Sequence, residues 1–314
     1  MNKRTLDIII VNWNAGDQLR DCLVSIELCN KEGFDLSRVI IVDNASVDGS
    51  ANGLDNLELP LNVIRNTDNR GFGAACNQGA RISNADYLLL LNPDTRLYTR
   101  SLKVPMEYME AQQNNNVAVC GIRLVNESGQ VIRTCARLPK PGHFFVKMLG
   151  LDRMFPGTFR CHMMTEWDHC DSRKVDHVIG AFYLIRKPVF DRLRGFDARF
   201  FLYLEDLDLS KGVKDLGYEI HFIADGEAFH RGGGTSESVK ATRLFHSLRS
   251  RILYGFKHFG KVGACLHFAA TILIEPLTRI VLAILHRSVR EIKETVQGYV
   301  ILYRDIPSII RKIE

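Results

Sequence analysis

Three acids stand together at Glu205-Asp206-Leu207-Asp208, a cluster able to supply a carboxylate that takes a proton from an attacking hydroxyl. The same acids would suit the first turn of a helix, where negative charge favours the exposed N–H groups. Asn92-Pro93-Asp94 offers a second chemistry. Asp94 is an oxygen ligand of the kind that holds a divalent cation, although Asn-Pro-Asp is also good turn material. Asp43-Asn44-Ala45-Ser46 presents a carboxylate that can accept hydrogen bonds from a nucleobase or a sugar hydroxyl, with a helix N-cap as the plainer alternative. Asn12 and Asn14 are candidates for the same pocket. Residues 69–79 (NRGFGAACNQG) read as a Gly-rich entry to a helix, whose N-terminus favours phosphate. Arg70, Gly71 and Asn77 are the candidate contacts there, and the glycines also suit a purely structural turn. The GxxxxGK[ST] spacing of a phosphate-binding P-loop is absent.

These clusters need elements to carry them. Residues 6–11, 39–43 and 87–91 are short apolar runs that read as strands, each ending in one of the polar clusters. Helical segments are expected over 17–29 and 72–83. The alternation predicts an α/β fold with a mostly parallel sheet, helices on both faces and ligands outside the carboxyl ends of the strands. VAVCGIRLV-NESG-QVIRT reads as a hairpin, 134–175 as a long irregular region, 177–187 as a strand entering a helix, and 195–223 as loop, helix and strand. From 238 onward the chain reads as helical, broken at Pro276 and Pro307.

The stretches IIIVNWNA (8–15), IIVDNASVDGS (40–50), NRGFGAACNQG (69–79), LLLLNPDT (88–95), GAFYLIRK (180–187), GFDARFFLYLEDLDL (195–209) and HRGGGTS (230–236) together resemble family 2 glycosyltransferases of the GT-A fold. Within the family they are similar to the bacterial rhamnosyltransferase-like branch of cell-surface polysaccharide assembly. The resemblance implies an inverting transfer from a nucleotide-diphosphate sugar, dTDP-L-rhamnose by preference and a UDP-sugar as the alternative, to a glycan or lipid-linked glycan. It implies that Asp43 binds base or ribose and that Asp94 and His230 hold Mg2+ or Mn2+. Asn92 is implied to add a hydrogen bond or ribose contact, Asp206 to be the base, and Glu205 and Asp208 to orient the acceptor. Relatives commonly carry an Arg in the helix after the acidic motif, where this chain has Lys211-Gly212. A nucleotidyltransferase would need a Gly-rich loop with a basic residue directly after the first strand, and Asn-Trp-Asn-Ala-Gly stands there instead. A non-catalytic membrane scaffold is disfavoured by retention of Asp43, Asp94, Asp206 and His230.

The 314 residues allow a catalytic domain over 1–237, with a nucleotide-sugar half at 1–115 and an acceptor half at 116–237, and a helical region over 238–314. That last region has 13 Lys/Arg against 5 Asp/Glu, a net charge of +8, while 1–237 has 28 against 31. The basic tail suits an anionic membrane surface or a lipid-linked pyrophosphate, and no nucleic-acid recognition motif accompanies it. Eight scattered cysteines without a CxxC pair read as a reduced, cytoplasmic protein. Cys161-His162 and His169-Cys170 match no common zinc pattern. The apolar stretches 262–274 and 277–285 each fall short of the ~20 residues a spanning helix needs. They are expected to lie at a membrane interface, as part of a peripheral protein on the inner face of the cytoplasmic membrane, or to pack on the body or a second subunit.

Overall fold

The first strand, β1 (Arg4–Asn12), is followed by α1 (Asp17–Glu27), β2 (Phe34–Asp43), β3 (Leu61–Arg65), α2 (Phe72–Arg81) and β4 (Tyr87–Leu91). β1 pairs in parallel with β2 on one side and β4 on the other, and β2 with β3. Alternate residues of these strands enter two different cores. Leu6, Ile8 and Ile10 pack with Leu19 and Leu23 of α1, while Ile9 and Val11 pack with Ala75 and Cys76 of α2. Burial on both faces is why the strands read as unbroken apolar runs. α2 sits so close to the sheet that a Cβ at Gly79 would meet Ile9 at 2.8 Å. Part of the glycine content of 69–79 therefore serves helix–sheet packing.

The chain continues through β5 (Thr95–Leu97), α3 (Lys103–Glu110), β6 (Val117–Val125), β7 (Val131–Ile132), α4 (Pro141–Met148), α5 (Leu151–Met154), β8 (Arg173–Val175), β9 (Phe182–Arg186), α6 (Lys187–Arg192), α7 (Glu205–Asp215) and β10 (Glu219–His230). The main order in the ten-stranded sheet is β3-β2-β1-β4-β9-β6-β10-β5, with β7 on β6 and β8 on β10. β9 runs antiparallel to both β4 and β6, so the sheet is mixed beyond β4. The expected hairpin is β6–β7, its turn closed by the Asn126 side chain accepting from the N–H groups of Ser128 and Gln130. β1 is the switch point, since the chain extends the sheet to β2 and β3 on one side and then returns to β4 on the other. The computed structural model describes residues 3–155, 157–232 and 240–313; Gly233, Gly234 and the expected boundary at 237/238 lie outside them.

The chain divides into an α/β unit (Met1–Ala136, Met164–Ala198, Asp206–Thr235) and a helical unit (Arg137–Met163, Arg199–Glu205, Ser236–Glu314). The helical unit holds α4, α5, α8 (Lys240–His258), α9 (Gly260–Leu273), α10 (Glu275–Leu285) and α11 (Val289–Ile313). Three expectations are corrected here. The region 134–175 is not irregular throughout: Pro141 opens α4, the one helical position that needs no N–H. Pro307 lies inside α11 without ending it. The two short apolar stretches join into one helical run, Gly260–Leu285, of 26 residues, long and apolar enough to cross a membrane by length and composition.

Candidate active site

The carboxyl ends of β1 and β2 form a network of short hydrogen bonds. Asn12 Nδ2 donates to Asp43 Oδ1 at 2.7 Å and lies within 3.0 Å of the Ser46 and Ser50 hydroxyls. The Ser46 hydroxyl accepts from the Asn14 N–H, and the Asn14 side chain accepts from the Val47 N–H. Asp48 accepts from Gly16 N, Ser50 N and the Ser50 hydroxyl. Burial opposes its charge, but those hydrogen bonds outweigh it and hold the carboxyl below its ordinary value. Asn14 and Ala45 both take positive φ, 50° and 60°, a conformation that non-glycine residues adopt at a cost. Asn12 and Asp43 are buried, and Asn12 Oδ1 is buried with no hydrogen-bond partner.

Beyond β4 the chain turns at Asn92-Pro93-Asp94 into the short strand β5. Its antiparallel pairing with the end of β10 puts His230 opposite Thr95 and so beside Asp94. His230 Nε2 lies 3.3 Å from Asp94 Oδ1, both side chains about 10% exposed. That nitrogen has no hydrogen-bond partner despite its burial. The Arg231 N–H donates to the Asp94 carbonyl. A cavity of about 110 Å³ beside them is lined by Asp94, Arg96, Arg231, Gln18, Asp21, Glu127 and Phe229.

Asp206 stands at the start of α7 with both carboxylate oxygens occupied. Oδ2 accepts from the Gly180 N–H and Oδ1 from the Leu207 N–H, each at 2.8 Å. The next residue, Ala181, gives its carbonyl to the Asn92 N–H at 3.1 Å. Two consecutive residues at the entry to β9 thus touch both the acidic motif and the turn that carries Asp94. Behind Asp206, His177 Nε2 lies 3.8 Å from Oδ2. His177 Nδ1 and the Tyr183 hydroxyl both bond the Ser210 hydroxyl, at 2.9 and 3.0 Å. Burial keeps the His177 pKa below its ordinary value, against the pull of Asp206 and Asp176. Glu205 and Asp208 are both buried. Tyr203 and Leu204, just before the motif, have φ of 69° and 65°.

One candidate side chain is committed elsewhere. Asn77 uses both ends of its amide on the Phe196 backbone, at 2.8 and 2.9 Å, so it clamps a loop and is not free for a ligand. Arg70 is exposed beside Asp68, its nitrogen 3.6 Å from the carboxylate; Gly71, with φ of 83°, is the N-cap of α2 and donates its N–H to the Asn69 side-chain oxygen. His169 stacks on Trp167 at 4.1 Å, and its two ring nitrogens bond Cys135 N and Trp167 O, an ordinary core histidine. Lys211 pairs with Asp215 one turn on. Sequence reasoning passed over His177 and Arg231; a histidine three residues before Gly180 and a basic residue next to His230 were the available signals.

The model of the family described as Glycosyl transferase family 2 matches residues 7–194. The chain is 22% identical over 271 residues to the N-acetylglucosaminyl-diphospho-decaprenol L-rhamnosyltransferase of Mycobacterium tuberculosis (strain CDC 1551 / Oshkosh), covering 81% of this chain and 85% of that one. It is 25% identical over 197 residues to the rhamnosyltransferase WbbL of Escherichia coli K12, covering 60% and 70%. Among solved structures it is similar to the mannosyltransferase PcManGT of Pyrobaculum calidifontis in complex with GDP-Man and Mn2+, with a TM-score of 0.56 at 14% identity over 100% of this chain and 86% of that one. The fold is that of GT-A glycosyltransferases with added C-terminal helices.

Proposed function

This chain belongs to glycosyl transferase family 2, in its rhamnosyltransferase-like branch, and we propose that it moves L-rhamnose, with inversion, from dTDP-L-rhamnose to a glycan or lipid-linked glycan at the inner face of the cytoplasmic membrane. The observation that carries this reading is the two-residue link, Gly180–Ala181, which joins Asp206 to the Asn92–Asp94 turn. A carboxylate and a cation-binding turn that close to one another are what an attacking hydroxyl and a departing diphosphate require.

Asp206 takes the proton of the acceptor hydroxyl as its oxygen bonds to the anomeric carbon and the bond to the diphosphate oxygen breaks. The N–H groups of Gly180 and Leu207 hold its carboxylate in one orientation before the acceptor arrives. Glu205 and Asp208 flank it and orient the acceptor. Asp94 and His230 fit a divalent cation: a carboxylate oxygen and an imidazole nitrogen lie 3.3 Å apart, and the nitrogen is buried with no other bond. Bound there, Mg2+ or Mn2+ supplies positive charge against the leaving diphosphate. With only two protein ligands, a cation held there would take the rest of its ligands from the donor, so that the two would bind together. The Mn2+ in the Pyrobaculum mannosyltransferase complex supports this reading. Arg231 adds a fixed charge beside the same phosphates. At the nucleotide end, Asn12 Oδ1 and Asp43 offer acceptors to the single ring N–H of a thymine or to the 3′-hydroxyl of its deoxyribose, and Asn14 and Asn92 edge the pocket.

Calorimetric titration with dTDP-L-rhamnose, UDP-sugars and GDP-sugars, each with and without Mn2+ or Mg2+, tests this. One donor should bind in a metal-dependent way, at least ~10-fold more weakly in Asp94→Ala, with binding retained in Asp206→Asn. Folded protein that binds none of these donors overturns the reading, and binding of a UDP-sugar alone changes the donor while leaving the chemistry.

A further inference from the structure

The helical run Gly260–Leu285 has its polarity reversed. A helix on a water-soluble unit turns its polar side to solvent and its apolar side inward. Here the residues turned inward include His267 and Thr271, both 0% exposed, and Glu275 at 1%. The residues turned outward are Val262, Leu266, Leu273, Leu277, Val281 and Leu285, between 54% and 75% exposed. They recur four and seven residues apart, so they form one stripe across both α9 and α10. Glu275 is tied from two sides, by Arg251 of α8 at 2.5 Å and by Arg279 at 2.8 Å.

We propose that this stripe is the surface by which the protein lies on an anionic lipid bilayer, with α9–α10 parallel to the membrane plane and its outward side chains among the acyl chains. The ends of the run argue for the charge of the surface. Lys257 and Lys261 precede the stripe, and Arg287 and Arg290 follow it, which sets cations at headgroup level on both ends. The middle of the run argues against crossing. A spanning orientation would carry the Glu275–Arg251 pair and the Arg-rich helix α8 into hydrocarbon with it, whereas lying flat leaves both on the protein side. The proposal rests on the membrane location given above, yet its test involves no nucleotide sugar, so it can fail while donor binding succeeds, and the reverse.

The full chain is floated through a density gradient with vesicles of phosphatidylcholine alone or mixed with phosphatidylglycerol. The wild type should rise with the anionic vesicles, and the double variant Leu277→Glu/Val281→Glu should lose at least ~10-fold of that partition, with its helical circular-dichroism signal unchanged. Leu28→Glu, an exposed leucine of the α/β unit, should float as the wild type does. A wild type that stays below the vesicles, or a double variant that floats equally, overturns the proposal. So does resistance of bound protein to alkaline carbonate, which marks a spanning segment. A wild-type dimer that ignores vesicles and dissociates in the double variant assigns the stripe to a second copy instead.

Discussion

The two units hold their polar groups in opposite ways. At the strand ends of the α/β unit, the carboxylates of Asp48 and Asp206 are held by neutral partners, backbone N–H groups and a serine hydroxyl, at 2.6–3.0 Å. In the helical unit, buried Glu275 is held by two guanidinium groups. Around it, both ring nitrogens of His267, the Thr271 hydroxyl and the Tyr299 hydroxyl have no hydrogen-bond partner. Neutral hydrogen bonds fix direction at little cost, and they suit a site that must meet a ligand in one geometry. Buried ions are costly to remove and weak evidence of stability. On the proposed membrane surface, an apolar outer face would leave the inner face of the run to its polar residues.

This contrast can be broken or sharpened by substitution. The largest effect is expected at Asp206→Asn, which should lower the transfer rate by about 10³-fold while donor affinity holds, read as single-turnover transfer beside calorimetric binding. Next, Glu275→Leu leaves Arg251 and Arg279 without their buried partner and should cost about 3–5 kcal/mol in the helical unit, measured by urea unfolding followed at helical wavelengths. If Arg251→Met/Glu275→Leu recovers most of that loss, the ion pair is a consequence of inverted polarity and not a source of stability.

Acid should separate the units further. Burial lowers the His267 pKa to about 4 from 6.5, reinforced by Arg251 and opposed by Glu275. The unfolded chain therefore binds the proton first. The contribution of the neutral ring is full above pH 6.5 and is lost as pH falls toward 4, about 3 kcal/mol in all. Unfolding of the helical unit across that window should lose this slope in His267→Phe. The smallest effect is expected in the α/β unit. Gly195 has φ of 72° and an added Cβ would sit 2.2 Å from Asn77 Oδ1, so Gly195→Ala should cost about 2 kcal/mol. Asn77→Ala in the same background should reduce that penalty, because the clash and the clamp share one atom.

What could be read in advance follows the same division. β1, β2 and β4 announced themselves because both faces are buried, and each ended at a polar cluster that the fold gathers at the switch point. β3 escaped notice as a half-buried edge. Asn77 looked like a ligand contact because the chain cannot tell that a loop 119 residues away needs its amide. His230 could be picked by its place in a pattern, but its approach to Asp94 depends on the pairing of β5 with β10. His177 gave almost no signal, since its meaning lies in Ser210 and Asp206, which only the third dimension brings to it. Pro307 reads as a break yet lies inside α11, and Pro141 opens a helix within a region that reads as irregular, because position within a helix decides what a proline does.

The tie at Gly180–Ala181 also has a consequence in time. On the proposed function, a nucleotide sugar seated against Asn92 would bear on the Ala181 carbonyl and, through the adjoining Gly180 N–H, on the carboxylate of Asp206. The acceptor would then meet its base in working position only after the donor is seated. Initial-rate patterns should show a compulsory sequence, nucleotide sugar before acceptor, with the nucleoside diphosphate leaving last.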